Sequence, residues 1–318
     1  RVDIDVDCRN PRKPARYFAN TKMKPGFTKQ FAVPIIALSS LLVSVNGLML
    51  RSIESASDWQ IVFGRQLCFT PVMLLLLWIR YRGQLINLFR QLGWVGIGAG
   101  TSLGLANITI ILAMSHTTIA NALFTLSACP LITAILARVF LKEPIARATV
   151  VAIAVAMVGI VIMVADGLGS GTPFGNLIAL ACATFFSLFV IFLRSGKDRN
   201  MLPASVVGGL IGISIGLTVS GFDYVLSVHD FVICFLWGGI ITSAVHFLFV
   251  VGSRHVPGAE IMLITLIEFT LGPVWVWLAF GEQPTRTALL GGALVLSSVA
   301  GRSIFLMQQR AATTKGTT

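Results

Sequence analysis

Ten long apolar stretches dominate this chain of 318 residues, and they constrain its fold more than any other feature. A helix needs roughly 20 residues to cross about 30 Å of hydrocarbon. Because hydrocarbon offers the backbone no hydrogen-bond partner, each crossing stretch must be a helix that is bonded within itself. The sequence therefore predicts an all-α membrane protein with ten transmembrane helices. The stretches are Phe31–Leu50, Trp59–Trp78, Trp94–Met114, Ile119–Leu141, Ala148–Ala165, Phe174–Leu193, Ala204–Phe222, Phe231–Gly252, Gly258–Phe280 and Ala288–Met307.

The composition supports lipid as the solvent of the fold. The chain is 55% hydrophobic and 12% charged, whereas an average soluble domain is roughly 25% charged. A net charge of +11 raises the alternative of nucleic-acid binding. We expect no nucleic-acid partner, because the charges lie in short loops, in the tails and at the ends of apolar stretches. The expected partner is the lipid bilayer.

The distribution of positive charge gives each loop a side of the membrane. Of the 24 lysines and arginines, 20 lie in the two tails and the even-numbered loops, and the odd-numbered loops hold only Arg51 and Arg286. The positive-inside rule places the basic side in the cytoplasm. We therefore predict a multi-pass protein of the cell (inner) membrane with cytoplasmic tails at residues 1–30 and 308–318. The first stretch is expected to be a membrane span and not a cleaved signal peptide, because its charged leader is too long.

Motifs for metals, nucleotides and disulfides are missing from the sequence. No two cysteines form a CxxC pair, no P-loop or HExxH motif is present, and no GxSxG motif follows a predicted strand. Buried thiols that behave as small apolar residues are the expected role of most cysteines. We predict no cofactor and no metal. The five cysteines are Cys8, Cys68, Cys129, Cys182 and Cys234.

The two halves of the chain resemble each other. A shift of 139 residues places Phe140–Glu143 on Ala279–Glu282, and Asn107 on His246. The repeats are predicted to be residues 31–166 and 172–307, with five helices each. Because five is an odd number, the second repeat starts on the opposite side of the membrane and is inverted. Inverted repeats are typical of secondary transporters.

These features resemble the drug/metabolite transporter superfamily, and specifically its EamA-type permeases with two repeats of five helices. The resemblance rests on the runs Ala128–Pro130, Leu141–Glu143, Leu266–Glu268 and Gly281–Glu282 and on the glycine-punctuated fifth helix. It implies a carrier for a small metabolite, such as an amino acid or a related compound. It also implies export by alternating access, and no enzymatic activity.

Ionisable groups inside the spans are the first candidates for a transport site, because a charge at the helix centre costs roughly 2.5–3.5 kcal/mol. Glu268 lies near the middle of the ninth span and is expected to bind a substrate amine or a coupled proton. The alternative is a neutral carboxyl group bonded to another helix. His246 and its counterpart Asn107 are expected to line a central cavity, where His246 could relay a proton. Hydrogen bonding between helices is their alternative role.

Four further residues complete the candidate set. Arg65 could hold a substrate carboxylate or extend outward to pair with an acidic residue of the first loop. Asn46 and Asn121 are candidate hydrogen-bond donors to a substrate in the cavity. Trp275 could face the cavity or belong to the outer aromatic belt. Arg302, near the cytoplasmic end of the last span, is expected to act as an interfacial anchor.

Two other functions and two oligomeric states stay open at this point. A membrane-embedded lipid-modifying enzyme would need clustered catalytic residues at one membrane face, and the four histidines are scattered along the sequence. A non-transporting sensor would normally carry an added soluble domain. Stripes of glycine at Gly96–Gly104 and Gly208–Gly216 favour close helix packing. That packing could lie within a monomer or between the subunits of a homodimer.

Overall fold

Helices account for all regular secondary structure in the part of the chain that the computed structural model describes, namely residues 31–81, 84–117, 122, 125–164, 173–222, 225–280 and 286–315. Each described helix overlaps one of the predicted apolar stretches. In chain order they are α1 (Ala32–Arg51), α2 (Asp58–Tyr81), α3 (Leu85–His116), α4 (Cys129–Leu141), α5 (Arg147–Val164), α6 (Pro173–Ser195), α7 (Leu202–Val219), α8 (Val228–Ser253), α9 (Gly258–Phe280) and α10 (Arg286–Lys315).

Seven of these helices are long and apolar enough to cross a membrane, namely α1, α2, α3, α6, α7, α8 and α9. The other three contain shorter apolar segments, at Cys129–Leu141, Arg147–Ile162 and Leu289–Arg302. Large apolar side chains also cover the outside of the molecule, including Trp78 and Phe140. A surface of this kind is stable against lipid and not against water, so the protein is a multi-pass membrane protein.

Local breaks divide several helices. In α1 a turn at Ser44 and Val45 precedes a second helical segment. In α3 Gly93 has φ of 60°, a value that glycine adopts without a steric cost. This break separates the first turns of α3 from the predicted span. The predicted fourth span is not one continuous helix, because Pro130 lies in the first turn of α4 after a turn at Ser127. Proline fits that position, since the N–H it lacks would have no partner there.

The helix contacts follow a regular pattern between the two halves. The pairs that pack include α3–α6, α3–α7, α4–α6, α1–α8, α2–α8 and α1–α9. If each helix of α1–α5 is exchanged with the helix five positions later in the chain, each of these pairs becomes another observed pair. The pair α3–α6, for example, becomes α8–α1. The pairs α2–α7, α4–α9 and α5–α10 are their own counterparts, and they also pack. Every helix of one half therefore contacts helices of the other half.

The glycine stripes pack against each other within the monomer. A Cβ atom at Gly104 would lie 2.9 Å from the carbonyl oxygen of Gly208, and one at Gly208 would lie 2.9 Å from that of Gly100. Farther along α7, Gly216 faces the backbone of Phe63 in α2. The absence of side chains thus brings the backbone of α7 against those of α3 and α2. At these positions the stripes serve intramolecular packing, one of the two roles that the sequence leaves open.

We expect Gly208→Ala to lower the thermal stability of the protein in detergent by a few degrees, because the added methyl group must displace backbone in α3. Gly301→Ala is the matched control, since no atom lies within 4 Å of a Cβ atom there, and its Tm should not fall. Thermal unfolding followed by intrinsic fluorescence measures the Tm of both variants, and size-exclusion chromatography measures their oligomeric state. An unchanged Tm accompanied by loss of a dimer in Gly208→Ala would show that the stripe is an intermolecular contact.

Candidate functional site

A cavity of about 110 Å³ lies where α1, α2, α3, α4, α6, α8 and α9 meet. A single water needs roughly 10–15 Å³ by the same kind of measure, so the cavity has room for a small molecule. Its walls are mainly apolar, with a few converging polar groups, as is common for small-molecule sites. The polar lining residues are Ser39, Ser40, Asn46, Arg65, Asn107, Thr242, His246, Thr265 and Glu268.

Five of the seven candidate residues line this cavity, although they come from five different helices. Their roles in transport stay predictions. The indole of Trp275 instead donates to Ser44 Oγ at 2.6 Å, so it contacts α1 outside the cavity lining. Asn121 lies outside the described residues. The five lining residues are Asn46, Arg65, Asn107, His246 and Glu268.

Arg65 is buried, with 2% of its surface exposed. Its Nη2 donates to Asn107 Oδ1 at 2.6 Å, and its guanidinium lies 4.8 Å from the ring centroid of Trp237. The alternative prediction that Arg65 extends outward to the first loop is therefore wrong. Close approach of α8 holds this arrangement, because a Cβ atom at Gly238 would overlap the Arg65 carbonyl oxygen. Among the described residues, no carboxylate lies within ion-pair distance of Arg65.

Glu268 accepts a hydrogen bond from the amide of Asn46, with 3.2 Å between Nδ2 and Oε1. The other end of that amide, Oδ1, accepts from Trp237 Nε1 at 2.7 Å. The break in α1 places Asn46 at the start of its second segment. Glu268 thus has a neutral partner and is not paired with Arg65. The two ionisable side chains line one cavity, but each is bonded to a different asparagine.

Trp237 also belongs to this site, although it was not among the predicted candidates. Its position offered a signal, because it lies in the interior of the eighth apolar stretch, away from the membrane interfaces where tryptophan is enriched. The residue is 2% exposed and belongs to the π-helical segment Phe235–Thr242 of α8. Short π-helical segments are frequent at functional sites.

Several polar atoms of the lining have no hydrogen-bond partner among the described residues. They are Arg65 Nε, Asn107 Nδ2 and His246 Nδ1. The His246 ring contacts Phe69 edge to face, with 5.0 Å between the ring centroids. A buried polar atom without a partner costs about 1–3 kcal/mol, so a polar group that enters the cavity would gain these contacts. The site can accept an anionic group beside Arg65 and a cationic group beside Glu268.

Two ion pairs lie toward the cytoplasmic side of the predicted topology. Arg302, with 7% of its surface exposed, forms an ion pair with Glu260 and donates through Nε to Thr149 Oγ1 at 3.1 Å. The prediction of an interfacial anchor is therefore wrong for Arg302. Similarly, Arg194 Nε donates to Glu143 Oε1 at 3.1 Å. The Arg194–Glu143 pair joins the two halves, and so does the hydrogen bond from Arg302 to Thr149, whereas Arg302 and Glu260 both belong to the second half. Both ion pairs differ from Arg65 and Glu268, which are not paired with each other.

The four cysteines of the described residues are free and buried. Within the same ranges, no group of three or more histidine, cysteine or acidic residues is arranged to hold a metal ion. Cys129 and Cys182 line the cavity, and their thiols contact backbone carbonyl oxygens. The polar chemistry of the cavity thus comes from the charged, amide, imidazole and hydroxyl groups.

Comparison with known proteins gives these residues a family context. Residues 30–165 match the model of the EamA-like transporter family. The chain is 24% identical to an uncharacterized transporter, sll1164, of Synechocystis sp. over 85% of this chain and 86% of that protein. It is 25% identical to the uncharacterized transporter YdfC of Bacillus subtilis over 62% of this chain and 67% of that protein.

A solved crystal structure shares the fold, with a TM-score of 0.74 over 87% of this chain and 97% of that chain. At 15% sequence identity, that likeness concerns the fold alone. The family match and the relatives named as transporters agree with the resemblance seen in the sequence. Residues 30–165 are thus similar to EamA-like transporters, and the chain is a membrane protein similar over most of its length to a protein named as a transporter.

Proposed function

We propose that this chain is an EamA-type permease that carries a small zwitterionic metabolite, such as an amino acid or a related compound, out of the cell by alternating access. One observation carries the proposal: Arg65 and Glu268 line the same cavity without pairing with each other. A guanidinium recognises a carboxylate through its planar fork, and a carboxylate binds an ammonium group. A substrate with both groups would satisfy both charges at once.

The proposed architecture has ten spans that form two inverted repeats, residues 31–166 and 172–307. The shift of 139 residues between the halves supports it, and so does the exchange of helix contacts between α1–α5 and α6–α10. Two copies of one scaffold in opposite orientation have outward-open and inward-open states of similar energy. The site lies between the halves, since Arg65 comes from the first and Glu268 from the second.

Proton coupling through Glu268 is part of the proposal, with His246 as a second proton-binding group. Both residues line the cavity, and both are titratable groups within membrane-spanning helices, a setting typical of proton relays. A proton that binds Glu268 would compete with a substrate ammonium group. Such competition is a direct way to exchange one cation for the other.

The alternatives of a lipid-modifying enzyme and a sensor have less support. Among the described histidines, His246 lies in the cavity and His255 follows α8 on the cytoplasmic side of the proposed topology, whereas His116 and His229 lie at the outer ends of two different helices, α3 and α8. Catalysis on a lipid headgroup would instead need such groups together at one membrane face. A single screen separates these functions. In it, cells that overproduce the protein are compared with cells that overproduce Glu268→Gln, and metabolites in the medium are measured by mass spectrometry.

We expect Arg65→Gln to reduce carrier activity through a weaker substrate interaction. Liposomes with the reconstituted protein are loaded with a mixture of neutral amino acids, and efflux is followed by mass spectrometry. Loss of a charge-assisted hydrogen bond should raise KM about 10- to 100-fold. Arg90→Gln, at an exposed arginine, is the control and should leave KM unchanged. Equal KM values in Arg65→Gln and the wild type would contradict carboxylate binding at Arg65.

Glu268→Gln should make efflux insensitive to an imposed pH gradient, because glutamine has the shape of glutamate but cannot exchange a proton. In the wild type, the same gradient should change the initial rate several-fold. The control is Glu54→Gln, at an exposed carboxylate of the α1–α2 loop, which should respond as the wild type does. A gradient response that survives in Glu268→Gln would assign coupling to another group.

The proposed topology predicts that both termini lie in the cytoplasm. Green fluorescent protein fused after Thr318 should fluoresce, and alkaline phosphatase fused at the same position should be inactive. Alkaline phosphatase inserted after Glu282, in a loop placed outside, should be active. The reverse pattern would contradict the inverted arrangement of the second repeat.

A further inference from the structure

One buried tryptophan contacts both charged parts of the cavity site. The indole N–H of Trp237 donates to Asn46, which in turn donates to Glu268. The face of the same ring lies against the guanidinium of Arg65. Trp237 is not itself a lining residue of the cavity. Its position is that of a support behind two groups that face the substrate.

The hydrogen-bond chain has only one consistent direction. The indole nitrogen of tryptophan is a donor and never an acceptor. Asn46 must therefore present its carbonyl oxygen to Trp237, which leaves its NH₂ group for Glu268. With the opposite amide orientation, two donors would face each other. Although the orientation of an asparagine amide is assigned from its partners, here the partner on one side permits a single choice.

This direction distinguishes the two oxygens of Glu268. Oε1 accepts from Asn46 and is therefore the carbonyl oxygen when the group is protonated. A proton taken up from water in the cavity bonds to Oε2, and it returns to water when the O–H bond breaks. In the ionised state, Oε2 is the oxygen with free capacity to bind a substrate ammonium group.

We infer that Trp237 is a positioning residue for transport, which acts through Asn46 to set the hydrogen bonding of Glu268 and holds Arg65 against its ring. This inference deepens the proposed function and rests on it. Trp237 would then be one structural link between the carboxylate-binding and the ammonium-binding parts of the site.

The local structure of α8 fixes the indole. The backbone carbonyl group of Trp237 belongs to a π-helical turn and accepts a hydrogen bond from Thr242 Oγ1 at 2.8 Å. The ring is enclosed by apolar side chains of α2 and α3, which leave it little freedom to rotate. They are Ile61, Val62, Ile108 and Ile111.

Other titratable groups face the same cavity. Arg65 of α2, His246 of α8, Cys129 of α4 and Cys182 of α6 all line it together with Glu268. The described part of α1 contributes the neutral Asn46, and α3 contributes the neutral Asn107. Arg302 of α10 forms its ion pair with Glu260, which is two turns away from Glu268 along α9. A test of Trp237 must therefore follow Glu268 itself and not only the pH dependence of transport.

Infrared difference spectroscopy of the full-length protein in phosphatidylcholine liposomes meets this requirement. Glu268 is identified by the protonated-carboxyl band that Glu268→Gln lacks, and its titration midpoint is measured without any substrate. Trp237→Phe keeps an aromatic ring at this position but removes the indole N–H. Asn46 can then turn its side-chain carbonyl toward protonated Glu268. We expect the midpoint to move to higher pH by about one unit.

A double-mutant cycle tests whether Trp237 acts through Asn46. Asn46→Leu removes the donor to Glu268 and should move the midpoint in the same direction. The double variant should move it no further than Asn46→Leu alone, because groups that act in one network are not additive. Trp59→Phe is the control, since Trp59 packs against the same apolar cluster, and its midpoint should equal that of the wild type.

Three outcomes would overturn the inference: a wild-type midpoint in Trp237→Phe, additive shifts in the double variant, or no titrating Glu268 band in the wild type. If Trp237→Phe does not fold, Asn46→Leu decides alone, and an unchanged midpoint would refute the chain from Trp237 to Glu268. Absence of amino-acid efflux with the expected spectroscopic shifts would count against the proposed substrate and not against this role of Trp237.

Discussion

The rest of the site depends on the burial of the Arg65 guanidinium and on the contacts that this buried group makes. A charge in a low-dielectric interior needs hydrogen bonds or an opposite charge nearby. Here the nearest partners are the amide oxygen of Asn107 and the face of Trp237, and both are neutral. The positive charge is therefore solvated in part but not cancelled. Close contact at Gly238 and the π-helical turn of α8 are the structural features that make this arrangement fit.

The pair of Glu260 and Arg302 shows what a cancelled charge looks like in the same molecule. Both residues are buried, and they form a direct ion pair with Thr149 as an additional partner. Breaking such a pair leaves an uncompensated buried charge, which is strongly destabilising. Pairing thus favours a structural role at that end of the bundle. In the cavity, Arg65 and Glu268 are not paired with each other, so both side chains can bind a molecule that enters the cavity.

Much of the fold could be predicted from the sequence, because lipid permits few alternatives and the apolar stretches mark the helices directly. Glu268 was identifiable as the carboxylate near the middle of the ninth apolar stretch, since Glu260 lies at the start of that stretch. Trp237 gave a weaker signal, because its position inside the eighth apolar stretch does not reveal where its ring points. The depth of Arg65 was likewise hidden, because it depends on the close approach of α8. Contacts between residues nearly two hundred positions apart, such as Asn46 and Trp237, follow from packing and not from local pattern.

In the proposed alternating access, the glycine contacts of α7 determine which helices move together. Where backbone meets backbone, there are no side chains that could repack, so α2, α3 and α7 should move as one rigid body. Arg65 and Asn107 travel with that body, whereas Asn46 and Glu268 belong to α1 and α9. A molecule bound to both Arg65 and Glu268 would therefore connect these two groups of helices. Release of the molecule from either residue would allow the two groups of helices to move relative to each other.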